Sequence, residues 1–223
     1  MSAILFGSIS TIADTSELQR EAFNQAFVEH NVPWHWGRED YRALLTESGG
    51  RNRIADYAAS VGTPVNATAI HETKTRLFQQ ALANGPVTPR DGVADTIRAA
   101  RQAGVKIGFV SGTVPGNIGA LLIALEPAVR TSDFDLVLDA DQVGAPKPDR
   151  AAYVLALGTL DERAENSVAI EDNIAGVRSA AAAGIVCVAF PNGNTTGHDF
   201  AAAELVLERL DFTDLHALIP GGK

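Results

Sequence analysis

The pattern of apolar and polar positions changes at about residue 86. Before that point the chain has one short apolar run, at Ala3–Phe6, after which apolar residues recur at helical spacing up to residue 84. Beyond it, apolar runs of strand length alternate with helical segments. Alternation of this kind is typical of a parallel sheet covered by helices on both faces. The sequence therefore predicts an α/β core with a helical block inserted after the first strand.

The pattern also predicts the individual elements. Ser16 and Gln19 make a plausible capping box for the first helix of the inserted block, and Val32-Pro33 ends that helix. Three more helices are predicted in the block, at 38–45, 51–59 and 67–82. Later strands are predicted at 105–110, 136–138, 168–170 and 185–190, with helices at 93–102, 117–125, 151–157 and 175–183. The predicted domains are a core of residues 1–14 and 86–223 and a helical cap of residues 15–85.

Composition and charge narrow the class of protein. A formal net charge of -9 disfavours non-specific binding to nucleic acid and to anionic membranes. The single cysteine, Cys187, lies in an apolar run, so no disulfide framework forms within the chain. The N-terminus lacks the pattern of a signal peptide, and no apolar run is long enough to span a bilayer. We expect a cytoplasmic protein that binds neither nucleic acid nor a membrane.

Candidate functional residues follow the predicted strands. Ligands of open α/β sheets bind at the carboxyl ends of the strands. There the chain carries a hydroxyl-containing turn, an isolated lysine and an acidic pair: Ser111-Gly112-Thr113, Lys147 and Glu171-Asp172. Such a set suits an oxyanion accompanied by a divalent cation.

These segments, in this order, resemble the motifs of the haloacid dehalogenase (HAD) superfamily, whose core is Rossmann-like. The first motif of that family is an apolar strand leading into Asp-x-Asp-Gly-Thr, where the first Asp is the nucleophile and a metal ligand and the second is the general acid/base. The corresponding positions here are Gly7 and Ile9. The resemblance implies that Ser111, Gly112, Thr113 and Lys147 bind a phosphoryl group, and that Asp172 and Glu171 ligate magnesium.

The helical block resembles the cap of the CbbY-like and β-phosphoglucomutase-like branch, which contains sugar-phosphate phosphatases and mutases. The named activity of that branch is hydrolysis of xylulose-1,5-bisphosphate. By this resemblance Glu17, Tyr41, Arg51 and Arg53 face the substrate from the cap. Gln19 stands where histidine is common in the branch, and Arg51 stands where lysine is common. As an alternative, Arg51 and Arg53 are solvated helix residues and Tyr41 belongs to the cap core.

The missing carboxylates limit the chemistry that the family route allows. Glycine has no side chain with which to attack, and isoleucine has no proton to donate. Loss of a nucleophile and its partners removes catalysis of this type almost entirely. Ser8 is expected to point to the other side of the strand from Gly7, and Ser10 lies in the turn beyond it; the sequence shows no activating base for either serine.

Three hypotheses remain open. In the leading one, the chain is a catalytically impaired, pseudoenzyme member of the family that still binds a small phosphorylated metabolite, with a magnesium site that is weakened or lost. In the second, it is an active phosphatase for a small sugar phosphate that uses non-standard chemistry. In the third, it is a non-catalytic interaction scaffold.

Overall fold

A computed structural model describes residues 2–46 and 49–219. Residues 1 and 220–223 of the predicted core, and residues 47 and 48 of the predicted cap, lie outside the described residues. No helix in the described ranges is both long enough and apolar enough to cross a membrane. The cytoplasmic location stays a prediction.

The core is a six-stranded, entirely parallel sheet with the strand order β3-β2-β1-β4-β5-β6. The strands are β1 (Ala3–Phe6), β2 (Lys106–Val110), β3 (Leu136–Leu138), β4 (Ser167–Glu171), β5 (Val186–Ala189) and β6 (Leu205–Val206). The core helices are α1 (Ile9–Ile12), α6 (Val93–Gln102), α7 (Pro115–Leu125), α8 (Ala151–Leu160), α9 (Ile174–Ala182) and α10 (Phe212–Ala217). This confirms the predicted parallel α/β fold.

Alternation along the strands gives the sheet two buried faces. Ile4 and Phe6 pack into one apolar cluster, whereas Ala3 and Leu5 pack into the cluster on the opposite face. Helices cover both faces, because a parallel sheet needs crossover connections that return on its surface. The central strand β1 pairs with β2 on one side and β4 on the other.

Between α1 and α6, the secondary-structure elements that the structure describes are all helices, joined by irregular segments. They are α2 (Ser16–Glu29), α3 (Arg38–Ala43), α4 (Gly50–Ser60) and α5 (Ala67–Asn84), with a short 3-10 turn at Leu44–Thr46. These helices share an aromatic cluster centred on Phe23, Phe27 and Trp36, all fully buried. The helical cap is therefore present, and the domain boundaries at residues 14/15 and 85/86 stay predictions.

Among the described residues, the structure adds two short α-helices and one short strand that the pattern did not predict, besides 3-10 turns at Thr131–Asp133 and Ala164–Asn166. α1, β6 and α10 have 4, 2 and 6 residues. Segments of this length carry too few periodic positions to reveal an apolar face. The predicted strand at 185–190 is shorter in the structure, where it is β5.

Candidate functional site

The carboxyl edge of the sheet brings the core candidates together. Phe6 is in register with Ile170, and the Gly7 amide donates to the Ile170 carbonyl at 2.8 Å. Gly7 therefore lies beside Glu171, the last residue of β4. Val110 ends the neighbouring strand on the other side of β1, so Ser111 follows at the same edge.

Glu171 is completely buried at this edge. Its Oε1 accepts hydrogen bonds from Lys147 Nζ at 2.5 Å and from the Tyr153 hydroxyl at 2.7 Å. Burial raises the pKa of the Glu171 carboxyl, and the positive charge of Lys147 opposes that rise. Its Oε2 has no hydrogen-bond partner among the described residues. This carboxylate therefore points into the protein and toward a lysine.

Lys147 is also buried, and protein acceptors take up all its donors. In addition to Glu171, Nζ donates to the Gly7 carbonyl at 2.5 Å and to the Val110 carbonyl at 2.9 Å. An ammonium group has three N–H donors. Phosphate binding by Lys147 stays a prediction, and an incoming oxyanion must displace one of these three acceptors.

Asp172 lies on the other side of the β4 end and is held by three neutral donors. Its Oδ1 accepts from the Ser8 hydroxyl at 2.7 Å and from Asn173 Nδ2 at 2.8 Å, and its Oδ2 accepts from Asn192 Nδ2 at 2.7 Å. The statement that Ser8 has no activating base is therefore wrong. A carboxylate contacts its hydroxyl because Ser8 and Asp172 follow neighbouring parallel strands with the same alternation.

The predicted phosphoryl-binding turn lies next to this group. Ser111 is buried, and its Oγ accepts from the Thr113 amide at 3.3 Å. Gly112 is exposed at the turn. The Thr113 hydroxyl accepts from Asn117 Nδ2 at 2.8 Å. Both hydroxyls thus take part in local hydrogen bonds, which fix the turn.

Of the predicted cap residues, Tyr41 and Arg53 lie at the aromatic cluster, whereas Glu17 makes polar contacts. Tyr41 is buried in the aromatic cluster and Arg53 lies over its ring, with the guanidinium carbon 5.9 Å from the ring centroid. Burial raises the pKa of Tyr41 to about 12, and the charges of Asp172 and Glu17 add to the rise. Glu17 accepts from Arg20 Nη2 at 3.0 Å and from Asn194 Nδ2 at 2.7 Å.

Lys74, which the sequence analysis did not select, is a buried cation at the boundary between cap and core. Its Nζ lies 4.8 Å from the ring centroid of Phe23, a cap residue, and 5.0 Å from that of Phe78, which packs in the core cluster. It donates to Gln19 Oε1 at 3.1 Å. Burial, and then the charge of Arg53, lower the pKa of Lys74 to about 7.

His71 and Arg51 lie in the same neighbourhood. Burial lowers the pKa of His71 to about 4, with further lowering by the charges of Lys74, Arg51 and Arg53. The His71 side chain is half-buried and lies beside Gly50. Arg51 is exposed. The positive charges near His71 are therefore those of Arg51, Arg53 and Lys74, on α4 and α5.

A core loop after β5 connects the cap to this site. Asn194 bonds to Glu17 of α2, and the Gly193 carbonyl accepts from Arg42 Nη2 at 3.1 Å. The Gly193 amide donates to Asp14 Oδ2 at 2.9 Å. Together with the bond from Asn192 to Asp172, these contacts make residues 192–194 a bridge across one side of the crevice.

These contacts bear on the magnesium site that the resemblance implies. Magnesium requires oxygen ligands in near-octahedral geometry. Gly7 offers no side chain, Glu171 is turned toward Lys147, and both oxygens of Asp172 accept hydrogen bonds from the protein. In the described ranges, no three His, Cys, Asp or Glu residues are grouped closely enough to hold a metal ion. The donors present here do not fit a magnesium ion.

The model of haloacid dehalogenase-like hydrolases matches residues 1–184. The chain therefore belongs to this family, whose members generally use Mg²⁺, and its relatives lie in the CbbY-like branch. It is 37% identical to Protein CbbY of Cereibacter sphaeroides over 219 residues, which are 97% of this chain and 94% of that protein. It is 30% identical to the CBBY-like protein of Arabidopsis thaliana, with 93% and 68% of the two chains covered.

Solved structures give the same result. CbbY from Rhodobacter sphaeroides in complex with phosphate superposes with a TM-score of 0.85, at 37% identity and 94% coverage of both chains. A mutant of the same protein in complex with xylulose-1,5-bisphosphate gives a TM-score of 0.86 with the same identity and coverage.

The structure thus collects Ser111, Lys147, Glu171 and Asp172 at one edge of the sheet, whereas Tyr41 belongs to the aromatic cluster of the cap, with Arg53 over its ring. Lys74 had a detectable signal, because it follows Ile70 and precedes Phe78 at intervals of four in the buried stripe of α5. A lysine at an apolar position of a helix is unusual.

Proposed function

We propose that this protein binds a phosphorylated sugar in the crevice between cap and core, and that it does not hydrolyse it through a phosphoaspartate intermediate. The observation that carries the proposal is Lys74, a buried cation at the boundary between the two domains. Its hydrogen-bond partner among the described residues is the neutral Gln19, and its electrostatic neighbour is another cation, Arg53. A buried cation surrounded in this way is stabilised when an anion binds beside it.

The chemistry of the first strand supports the second half of the proposal. Gly7 has no side chain, and Ile9 packs in the apolar core cluster with 5% of its surface exposed. Neither position can form or protonate a phosphoryl intermediate. Cationic residues that would attract an anion are present in the cap, while the two carboxylates that would act on it are absent from the first strand.

The ligand class is a small sugar carrying one or two phosphates. Support comes from the CbbY structure in complex with xylulose-1,5-bisphosphate, which shares 37% identity with this chain. The cationic residues of α4 and α5 suit one phosphate group of such a compound. Binding of a small metabolite rather than of a macromolecule also agrees with the net charge of -9.

A panel of sugar phosphates that includes xylulose-1,5-bisphosphate tests the proposal, with thermal shift and phosphate release read on the same samples. A thermal shift without turnover is the expected result. Lys74→Met should remove most of the shift, whereas Arg76→Met, on the same helix but paired with Glu29 at the surface, should not. Absence of any shift would leave the scaffold hypothesis, and turnover that persists in Ser8→Ala would contradict the proposal.

One observation favours the enzyme hypothesis as a second candidate. The Ser8 hydroxyl donates to Asp172 at 2.7 Å, and a carboxylate in that position can accept a proton from a hydroxyl nucleophile. If the panel shows turnover, Ser8→Ala should abolish it while Ser10→Ala should not, because the Ser10 hydroxyl is paired with Thr15 and buried. Turnover unaffected by Ser8→Ala would exclude this route.

A further inference from the structure

The Glu171 carboxylate lies in a slot between two glycines. A Cβ built on Gly7 would lie closer than 3.0 Å to Glu171 Oε1 and Cδ, and so would a Cβ built on Gly176 of α9. Real Cβ atoms essentially never make such contacts, so a side chain at position 7 and Glu171 in this position exclude each other. Glu171 therefore occupies space that is open because positions 7 and 176 carry no side chain.

In this position, the Glu171 carboxylate gives Lys147 the same kind of negatively charged hydrogen-bond acceptor that a bound oxyanion would give it. Its Oε1 is a charged acceptor 2.5 Å from Nζ, and the Tyr153 hydroxyl donates to the same oxygen. The remaining two donors of Lys147 are fixed by the Gly7 and Val110 carbonyls. Both members of the Lys147–Glu171 ion pair are buried. Because the two charges offset each other, the pair has little attraction for a second anion.

We propose that Glu171 is an internal anion that fills the core end of the crevice and competes with external phosphate for Lys147. The inference deepens the proposed function and rests on it for the site of binding: a ligand phosphate binds beside Lys74 at the cap, while the core end is closed to anions. Glu171 thereby limits the crevice to one phosphate group.

Calorimetric titration with inorganic phosphate tests the competition in four proteins: wild type, Glu171→Gln, Lys147→Met and the double variant. In wild type, Lys147→Met should change phosphate affinity by less than about twofold, because Lys147 is already paired. Glu171→Gln should raise the affinity at least about tenfold, since glutamine keeps the shape of the side chain but removes its charge. Adding Lys147→Met to Glu171→Gln should abolish that gain.

A second Lys–Glu pair, in which the glutamate side chain is buried and the lysine is partly exposed, offers a control. Lys106, at the start of β2 and thus at the opposite edge of the sheet, lies 3.1 Å from Glu162. Glu162→Gln makes the same change in net charge and should not raise phosphate affinity. An equal gain in this variant would overturn the proposal, because the effect would then be one of overall charge.

Other results also decide the matter. A tenfold loss of affinity in Lys147→Met alone, or no gain in Glu171→Gln, would overturn the internal-anion proposal. If Glu171→Gln does not fold, Glu171→Ala in the presence and absence of Lys147→Met gives the same comparison. If wild type binds no phosphate but Glu171→Gln gains binding that depends on Lys147, the internal anion is supported and the proposed function fails, so the two are distinguishable.

Discussion

Replacing Gly7 with alanine tests whether Glu171 and a side chain at position 7 compete for one space. The new Cβ would meet Glu171 Oε1 and Cδ and the Tyr153 hydroxyl, all closer than 3.0 Å. Gly7 does not have a positive φ, so the cost is steric rather than conformational. Insertion of a methyl group into a filled interior costs about 1–3 kcal/mol. We expect the free energy of unfolding to fall by that amount.

The dependence on Glu171 is the diagnostic part of this experiment. In a Glu171→Ala background the two contacts with Glu171 are gone while the contact with the Tyr153 hydroxyl remains, so part of the cost of Gly7→Ala should disappear, giving a coupling of about 0.5–3 kcal/mol between the two positions. Urea denaturation with comparison of m-values measures all four proteins. Coupling of this size is expected only for residues that share partners or space.

Gly112→Ala is the matched control at the same edge of the sheet. A Cβ there meets no atom within 4 Å, and its φ is not positive. Its effect should stay within about 0.5 kcal/mol of zero or be slightly stabilising. If Gly7→Ala is as well tolerated as Gly112→Ala, or costs the same with and without the Glu171 side chain, the assignment of that space to Glu171 is refuted.

The remaining predictions concern charge and chemistry in the crevice. Burial lowers the pKa of Lys74 to about 7, so the affinity of wild type for sulfate should fall between about pH 6 and about pH 8. In Lys74→Arg the affinity should not change with pH, since arginine stays protonated. A wild-type affinity that does not change with pH would contradict this prediction. Lys74 should also make the free energy of unfolding rise as the pH increases from about 7 toward 10.5, because over that range Lys74 is protonated in the unfolded chain and deprotonated in the folded chain. Urea denaturation midpoints should rise with pH in wild type, and this rise should be lost in Lys74→Met. Gly7→Asp and Ile9→Asp together should move the protein toward release of phosphate from sugar phosphates, while neither alone should, because nucleophile and acid/base act as a unit; equal activity in one single variant would disprove the unit. Calorimetry of the wild type should show no micromolar affinity for Mg²⁺, since both oxygens of Asp172 already accept hydrogen bonds from the protein. Micromolar binding would show that Mg²⁺ displaces these hydrogen bonds.

The long-range organisation of the fold was predictable because its signals are strong. Strand-length apolar runs such as Ala3–Phe6 differ in period from the helical pattern that ends at α5. The change from the helical pattern to alternating strands and helices near residue 86 predicts the return from cap to core. β6 and α10 carried no such signal. Their positions depend on tertiary contacts, such as pairing of β6 with the already formed β5.

The candidate site was predictable in its composition but not in its contacts. The rule that ligands bind at the carboxyl edge located Ser111, Lys147 and Asp172 from sequence alone. It could not show that the Glu171 carboxylate turns toward Lys147 and Gly7, because that depends on the size of the residue at position 7 on a neighbouring strand. Lys74 was missed since its partners, Phe23 and Gln19, come from a helix about fifty residues earlier in the chain.

The distribution of satisfied and unsatisfied charge explains why the crevice suits a ligand better than a metal ion. At the core end, each carboxylate has donors of its own: Lys147 and Tyr153 for Glu171, and neutral hydroxyl and amide groups for Asp172. A cation brought there must break these bonds before it gains any. At the cap end, Lys74 is desolvated beside another cation, so an anion brought there removes a cost that the folded protein already bears. Loss of the side chain at position 7 therefore does more than remove a nucleophile. It makes room for Glu171 to pair with Lys147 at the core end. The positive charge of the cap is then the main attraction for a phosphate group.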